Sequence, residues 1–244
     1  MTVLVADQVA KTYRSIGGDR RALDTVSLEL RAGETLAVVG ESGAGKTTLI
    51  KLLAGLEAPS EGSITLDGAS IKPSRRRPSP IQMVFQNPLE ALSPYWSIRR
   101  SVGEPLRSMK RSERAERVTT LLETLGIDRA NHERRPATFS GGQLQRVVLA
   151  RALAPGPKVL LCDEPTSALD VSVQAQIINL ILELQQRDEF ACLLVTHDLT
   201  VARVLADRIL VLKDGAVDHA GPASEFFEEP PTDYTRLLLA AAGG

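Results

Sequence analysis

The sequence predicts an α/β fold built on a mainly parallel sheet, and two observations lead to this prediction. Short apolar runs such as TLAVV, VLLC and ACLLV are typical of strands that are buried on both faces. Longer amphipathic segments lie between these runs. Strands that alternate with helices along a chain predict crossover units and therefore parallel pairing.

The first third of the chain is rich in predicted strands. Gly, Asp or Pro interrupts the strand-like runs, which are VLVADQVAKTY, ALDTVSLEL, TLAVVG, GSITLDG and IQMVFQ. We expect an antiparallel β region at the N-terminus. A helix that carries KTTLIKLLAGL should follow Gly45.

The middle of the chain differs in character, because residues 88–155 contain no predicted strand. The stretch NPLEALSPYWSIRRSVGEPL is loop-rich, and a helical stripe follows at Val118, Leu121, Leu122 and Leu125, with Gly126 as its C-cap. Another helix begins at Ser140. We therefore predict a single domain over 1–244, in which a helical subdomain (88–155) is inserted into a core formed by 1–87 and 156–244.

The last third returns to alternating strands and helices. VLLCDE and ACLLVTHD are predicted strands, and DVSVQAQIINLILELQQ and TVARVLAD are predicted helices. RILVLKDGAVDHAG predicts a hairpin that turns at Asp214-Gly215. Two helices, ASEFFEE and TDYTRLLLAA, are expected at the C-terminus.

The overall composition gives no indication of a nucleic-acid-binding protein. With 29 Lys and Arg against 30 Asp and Glu, the chain lacks the basic excess of a nucleic-acid-binding protein. The run Arg75–Arg77 is expected to be a solvated loop.

The two cysteines, Cys162 and Cys192, lie in apolar runs and are expected to be reduced core thiols. No signal peptide or membrane span is predicted, so we expect a soluble cytosolic protein that can dock on a membrane protein.

One segment carries a specific phosphate-binding motif. GESGAGKT matches G-x-x-x-x-G-K-[ST] and lies between a predicted strand and a predicted helix, which is the context that the motif requires. Its backbone N–H groups would converge on phosphate oxygens, Lys46 would reach the β and γ phosphates, and Thr47 would bind Mg²⁺. The candidate nucleotide-binding residues here are Gly40, Glu41, Ser42, Gly43, Ala44, Gly45, Lys46, Thr47 and Thr48.

A second element of the same chemistry is the strand VLLC, which delivers two carboxylates to its C-terminal edge. Asp163 is expected to hold Mg²⁺, and Glu164 to polarise the attacking water as a general base. Together with the phosphate loop, this predicts a P-loop NTPase of the RecA-like type. Kinases, GTPases and helicases all remain open at this point.

A second potential anion site begins at Ser140. The run Ser140-Gly141-Gly142-Gln143 satisfies the S-x-x-Q pattern of a capping box, which by itself explains the start of a helix. Two glycines are unfavourable in a helix, and a cap does not need them. They are expected where a phosphate of another molecule must approach the helix closely.

These stretches resemble, over nearly the whole chain, the ATP-binding cassette (ABC) ATPases. FSGGQLQR resembles their signature, GESGAGKT their Walker A motif and VLLCDE their Walker B motif. SALD (167–170) resembles the D-loop, which contains Asp170. The resemblance further implies that Gln86 is the Q-loop glutamine and a Mg²⁺ ligand, that His197 contacts the γ-phosphate, and that Tyr13 stacks on adenine.

The family architecture accounts for the two anion sites. In ABC ATPases two cassettes pack head to tail, so the resemblance implies that Ser140–Gln143 contacts the ATP of a partner cassette. Asp170 would couple the two sites. The resemblance implies a second cassette as partner, either a homologous, non-identical chain or a second copy of this one. It also implies two membrane permease subunits and, indirectly, an extracytoplasmic solute-binding protein. The implied location is the cytoplasmic face of the membrane.

Two further segments indicate a subfamily. QNPLEALSPYWSIRRSVGEPL and FFEEPPTDYTRLLLAA are similar to segments of the dipeptide, oligopeptide and nickel importer ATPases. This chain has Thr232-Asp233 where those proteins usually have His-Pro, and it resembles a short member of a heterodimeric pair. Tyr95 and Trp96 are expected to help line the groove for the permease. An exporter or lipoprotein-release ATPase, or a soluble ABC ATPase without a permease, is the alternative.

Overall fold

The structure of the protein is a computed structural model that describes residues 1–14, 18–71, 79–167 and 169–242. The Arg75–Arg77 run and residue 168 of the SALD stretch lie outside the described residues. The strands are β1 (Thr2–Tyr13), β2 (Arg20–Arg31), β3 (Thr35–Val39), β4 (Glu61–Leu66), β5 (Ala69–Ser70), β6 (Ile81–Val84), β7 (Val159–Asp163), β8 (Ala191–Val195), β9 (Arg208–Lys213) and β10 (Ala216–Pro222).

The α-helices are α1 (Lys46–Leu53), α2 (Ile98–Val102), α3 (Arg111–Thr124), α4 (Gly141–Leu153), α5 (Val171–Asp188), α6 (Leu199–Leu205), α7 (Ala223–Glu228) and α8 (Asp233–Ala242). The chain divides into two compact units. The first comprises Met1–Pro73 and Glu189–Gly244, and the second comprises Ser74–Asp188.

The first unit contains an antiparallel and a mainly parallel group of strands. β2, β1, β4 and β5 lie side by side in that order, and each pair is antiparallel. β10, β9, β3 and β8 also follow one another, with β9, β3 and β8 parallel and β10 antiparallel at the edge. Every residue of β3 and β8 is buried, as their continuous apolar sequences predict. The predicted α/β class and the N-terminal antiparallel region are confirmed.

The second unit carries a parallel strand pair and most of the helices. β6 and β7 pair in parallel, with Val84 opposite Cys162. Between β6 and β7 the chain forms α2, α3 and α4 with short 3-10 turns and no strand. The predicted stripe on α3 is largely buried at Val118, Leu122 and Leu125, and Gly126 ends the helix with φ of 73°. The assignment of 88–155 as a subdomain stays a prediction.

Two elements were not expected from the sequence. Helix α2 lies within the stretch that we predicted to be loop-rich, and it begins where the Ser97 hydroxyl accepts a hydrogen bond from the Arg100 backbone N–H. The two-residue strand β5 extends the antiparallel group. Both elements are too short to produce a periodic pattern in the sequence.

Both cysteines are buried in strands, Cys162 in β7 and Cys192 in β8. Among the described helices, none combines the length and the apolar composition that are needed to cross a bilayer.

Candidate functional site

The segment from Gly40 to Thr48 forms a tight loop between β3 and α1 in the first unit. Lys46, the first residue of α1, is buried, and its Nζ donates hydrogen bonds to the carbonyl oxygens of Gly40 (2.6 Å) and Glu41 (2.8 Å). Gly40 and Gly45 have φ angles of 149° and 104°, which side chains disfavour. A Cβ atom would lie 2.2 Å from the Leu212 carbonyl oxygen at Gly40, and 2.7 Å from the Ala22 carbonyl oxygen at Gly45. The loop therefore requires glycine at both positions.

The same unit brings His197 to this loop. β3 and β8 are parallel, with Val38 opposite Val195, so their carboxyl ends meet at one edge of the sheet. His197 follows β8 and is exposed, and together with Gly40–Ser42 it lines a cavity of about 210 Å³. Leu238 and Ala241 of α8 form another wall of this cavity.

Tyr13 ends strand β1, and the residue is 37% exposed. Its hydroxyl donates to Glu57 Oε2 at 2.7 Å, and Lys11 Nζ lies 5.2 Å from the ring centroid and 3.4 Å from the same carboxylate. Burial, and then the adjacent Glu57 carboxylate, raise the pKa of Tyr13. The hydrogen bond from Tyr13 lowers the pKa of Glu57. The phenol is therefore fixed at its hydroxyl end, while part of its ring stays open for stacking.

The second unit joins Gln86 to Glu164. Because β6 and β7 are parallel, the residues that follow them emerge at the same edge. The Gln86 Nε2 donates to Glu164 Oε2 at 3.0 Å and lies 3.2 Å from Ser167 Oγ. Glu164 has a φ of 47°, a left-handed conformation that costs a non-glycine residue about 1–2 kcal/mol. Strain of this kind is frequent at functional sites.

The helix that follows the second anion motif starts as predicted. The Ser140 hydroxyl accepts from the Gln143 backbone N–H, and the Gln143 side chain accepts from the Ser140 backbone N–H, which forms a complete capping box. The two glycines differ in their surroundings. A Cβ atom at Gly142 would lie 2.3 Å from Val173 Cγ1 of α5, whereas one at Gly141 would meet, among the described residues, only Leu169 Cδ2, at 3.6 Å. Packing against α5 therefore explains Gly142 but leaves Gly141 unexplained.

Asp170 has a local structural role that the sequence analysis did not assign. Its Oδ1 accepts hydrogen bonds from the Val173 backbone N–H at 2.9 Å and from the Ser172 hydroxyl at 2.7 Å, at the start of α5. The Val173 N–H first, and the Ser172 hydroxyl second, lower the pKa of Asp170. The side chain is exposed, so it caps the helix while it stays accessible.

Trp96 lines a cavity of about 740 Å³ within the second unit. The guanidinium of Arg100 stacks 4.2 Å from the indole centroid, and that of Arg107 lies 5.9 Å away. Arg99, Arg111 and Arg114 also line the cavity. The neighbouring Tyr95 is 79% exposed.

Comparison with known proteins identifies the family that these features indicate. A family model described as ABC transporter matches residues 23–167. The chain belongs to the ABC transporter family. This cassette is an ATPase, and it binds a nucleotide.

Relatives of the cassette carry names from peptide transport. It is 44% identical over 254 residues to the di/tripeptide transport ATP-binding protein DppF of Pseudomonas aeruginosa, a match that covers 98% of this chain and 79% of DppF. It is 42% identical to the oligopeptide transport ATP-binding protein OppF of Escherichia coli, covering 91% of this chain and 69% of OppF. With the peptidoglycan transport ATP-binding protein YejF of Agrobacterium fabrum, identity is 47% over 91% of this chain, which spans only 42% of YejF.

Solved structures agree with this family and fold. The dimeric post-hydrolysis structure of the ATP-binding cassette MJ0796 with ADP and Pi superimposes with a TM-score of 0.80 at 32% identity, covering 90% of this chain and 98% of that one. The cassette cbiO1 from Clostridium perfringens superimposes with a TM-score of 0.82 at 31% identity, covering 93% and 91%.

The residues expected to bind Mg²⁺ are divided between the two units, with Thr47 in the first and Gln86 and Asp163 in the second. Their hydroxyl, amide and carboxylate oxygens are of the hard type that Mg²⁺ prefers. Since the amide nitrogen of Gln86 faces Glu164, its amide oxygen remains the end that can bind a cation. When bound, Mg²⁺ would neutralise charge on the phosphates.

Some contacts at these sites were missed from the sequence. They include the Glu57 partner of Tyr13, the approach of Val173 to Gly142, and a hydrogen bond from the Glu41 backbone N–H to Tyr234. Tyr234 belongs to the segment FFEEPPTDYTRLLLAA, whose sequence contains no signal of which residues Tyr234 contacts.

Proposed function

We propose that this cassette is the ATP-hydrolysing subunit of an importer for peptides, bound at the cytoplasmic face of the membrane through permease subunits. The observation that carries the proposal is its similarity, across nearly its whole length, to a relative named for di- and tripeptide transport. Nickel as the solute stays a prediction from the sequence resemblance alone.

The P-loop residues bind the phosphates of ATP. Backbone N–H groups from Gly40 to Thr48 converge on phosphate oxygens, and Lys46 moves from the Gly40 and Glu41 carbonyls to the β and γ phosphates. Tyr13 stacks on adenine with its open ring face. The cavity shared by His197 and Gly40–Ser42 supports contact between His197 and the γ-phosphate.

Hydrolysis depends on the residues at the ends of β6 and β7. Glu164 accepts a proton from the attacking water as general base, and Gln86 orients the Glu164 carboxylate through the 3.0 Å hydrogen bond. Thr47, Gln86 and Asp163 are the proposed Mg²⁺ ligands. In this scheme a change in the position of Gln86 alters both metal binding and the general base.

A second cassette completes the site. The capped N-terminus of α4, with Ser140, Gly141, Gly142 and Gln143, supplies N–H and hydroxyl donors to the γ-phosphate held by the partner cassette. The open position at Gly141 supports this role, because packing within the unit does not require glycine there. Asp170 couples the two sites across the dimer. The partner is proposed to be a homologous, non-identical cassette.

The cavity around Trp96 is the proposed docking surface for a permease segment. Trp96 lines this concave surface, and an aromatic side chain in such a position is a typical anchor for a partner. Delivery of the solute to two such permease subunits by an extracytoplasmic binding protein completes the proposed importer.

Reconstitution tests the proposal. The chain is co-expressed with candidate permease subunits, a partner cassette and a solute-binding protein, and uptake of a labelled dipeptide into proteoliposomes is measured with ATP. We expect uptake that Glu164→Gln abolishes and that Glu183→Gln, a change at an exposed carboxylate on α5, leaves intact. Release of solute instead of uptake, or failure of the chain to associate with any membrane subunit, would contradict an import function.

A further inference from the structure

The C-terminal helix α8 contacts the phosphate loop through one tyrosine. Tyr234 lies in the first turn of α8, and its hydroxyl oxygen accepts a hydrogen bond from the backbone N–H of Glu41 at 3.2 Å, across 193 positions of sequence. Leu238 and Ala241 of the same helix face Gly40–Ser42 across the cavity of about 210 Å³. Helix α8 therefore lies beside Gly40–Ser42, the first part of the phosphate loop, from its first turn to Ala241.

The bond is made to a particular peptide group. The N–H of Glu41 and the C=O of Gly40 belong to the same planar unit, and the Gly40 oxygen accepts from Lys46 Nζ at 2.6 Å. The nitrogen end of this peptide is thus held by Tyr234 and the oxygen end by Lys46. The orientation of the peptide plane sets the direction of its carbonyl, so Tyr234 acts on the group that holds Lys46.

The Tyr234 side chain is itself held in place by its surroundings. Its ring is 7% exposed and packs in an apolar cluster with residues of β3, β9, α6 and α7. Lys213 Nζ lies 4.8 Å from the ring centroid. Burial raises the pKa of Tyr234, so the phenol stays neutral at physiological pH. The hydroxyl is consequently a fixed, uncharged acceptor rather than a mobile surface group.

The start of α8 is anchored by a reciprocal cap. The Thr232 hydroxyl accepts from the Thr235 backbone N–H at 3.0 Å, and the Thr235 hydroxyl accepts from the Thr232 N–H at 3.0 Å. The Thr232 hydroxyl also donates to Asp218 Oδ2 of β10 at 2.6 Å. The start of α8 is thus held both by its own reciprocal cap and by a hydrogen bond to β10.

A second tether holds the other half of the loop. The backbone N–H of Gly215, in the turn between β9 and β10, donates to the Ala44 carbonyl oxygen at 3.1 Å. The loop is thus attached at Ala44 to the hairpin and at Glu41 to α8. Of these two attachments, only the one at Glu41 depends on a side chain, and it can therefore be removed by substitution.

We propose that Tyr234 is a positioning residue that holds the Gly40–Glu41 peptide in the orientation required for nucleotide binding, so that α8 sets the affinity of the cassette for ATP. Without the hydroxyl the Glu41 N–H, which lies at an exposed residue, turns to water and the loop samples more conformations. Binding must then order the loop, which weakens affinity. The bond is present both in the ground state and in the transition state, so turnover at saturating ATP should not change.

The test compares hydroxyl deletions at two positions. Tyr234→Phe keeps the buried ring, and Thr120→Ala removes the hydroxyl of an exposed residue on α3. Affinity for the Mg²⁺ complex of the non-hydrolysable ATP analogue adenylyl imidodiphosphate is measured by calorimetry on the full chain, and the melting midpoint is measured without nucleotide. We expect about fivefold weaker affinity for Tyr234→Phe, the equivalent of one net hydrogen bond, and unchanged affinity for Thr120→Ala. The melting midpoints of the two variants should agree.

A double-mutant cycle tests whether the start of α8 affects nucleotide affinity through Tyr234. Thr232→Ala loosens the start of α8 but keeps Tyr234, so it should weaken affinity in the same direction, and it should have little further effect when combined with Tyr234→Phe. Equal affinities of Tyr234→Phe and Thr120→Ala would overturn the inference, as would a lowered melting midpoint of Tyr234→Phe with unchanged affinity. The inference rests on the proposed role of the P-loop in nucleotide binding. Titration of the unsubstituted chain in the same experiment tests that role separately.

Discussion

The amide nitrogen of Gln86 donates a hydrogen bond to the carboxylate of Glu164 at 3.0 Å, and the two residues follow neighbouring parallel strands. A residue that is a candidate metal ligand is therefore also in direct contact with the candidate general base. Displacement of Gln86 would change the orientation of the Glu164 carboxylate without any change in the phosphate loop.

Removal of the Gln86 amide should slow hydrolysis. We expect Gln86→Ala to lower turnover by about 10-fold to 100-fold, the range for a hydrogen bond to a charged group, because Glu164 loses its donor. Gln82→Ala is the matched control, since Gln82 lies on the same strand but bonds to the Ser79 carbonyl oxygen. Steady-state hydrolysis of the assembled transporter measures the effect, and equal rates for both variants would exclude the orienting role.

Loss of the Glu164 carboxylate should separate binding from hydrolysis. We expect Glu164→Gln to retain ATP binding and to reduce turnover by about 10²-fold to 10⁴-fold, the usual contribution of a general base. Uncleaved ATP should then hold two cassettes together, which size-exclusion chromatography with ATP detects. Rapid hydrolysis by this variant would show that another group accepts the proton.

The two glycines of the signature should respond differently to alanine. Gly142→Ala brings a methyl group against Val173, and we expect it to lower the free energy of unfolding by about 1–3 kcal/mol. Val173→Ala should relieve this clash in the double variant. Gly141→Ala should change stability by less than about 1 kcal/mol, because its surroundings are open.

The rate of ATP hydrolysis by Gly141→Ala then tests whether a partner's phosphate approaches this residue. If a partner's phosphate approaches this helix start, Gly141→Ala should lose hydrolysis in the dimer while urea unfolding stays near that of the unsubstituted chain. A variant that is fully active would show that no close approach occurs at this position.

Acid should weaken the cap at the start of α5. The folded pKa of Asp170 lies below its ordinary value of 3.8, because the Val173 N–H and the Ser172 hydroxyl bind the charged form. The stabilisation is therefore present above pH 3.8 and is lost as the pH falls through the lower, folded value. NMR titration of the Asp170 carboxyl should show the depressed pKa, and Ser172→Ala should raise it. A Ser172→Ala variant with an unchanged Asp170 pKa would contradict this assignment.

Much of the fold could be predicted because its signals are local. The capping box at Ser140, the helix after Gly45 and the buried strand before Asp163 are each encoded within a few neighbouring residues, and the structure confirms all three. Helix α2 was missed because five residues contain little more than one helical turn. Its only local signal was Ser97, a favourable N-cap within a Pro-containing stretch.

The unpredicted parts of the site share a different cause. The contacts of Gly142 with Val173 and of Glu41 with Tyr234 join residues that are distant in sequence, and they depend on tertiary packing rather than on periodicity. For Gly142 the sequence suggested one reason, the approach of a phosphate, while the structure supplies another in the neighbouring helix. Motif spacing alone could not distinguish the two.

The way in which Lys46 is held has a consequence for the release of product. Its ammonium group is buried, and two main-chain oxygens of the loop, at Gly40 and Glu41, already solvate it. If Lys46 binds the phosphates as proposed, nucleotide entry is a ligand exchange, in which phosphate oxygens replace carbonyl oxygens around the ammonium group. On departure of ADP the same carbonyls would again solvate Lys46, so the emptied loop would not hold a desolvated, unpaired charge. Such an exchange would favour repeated cycles of binding and release over permanent occupancy.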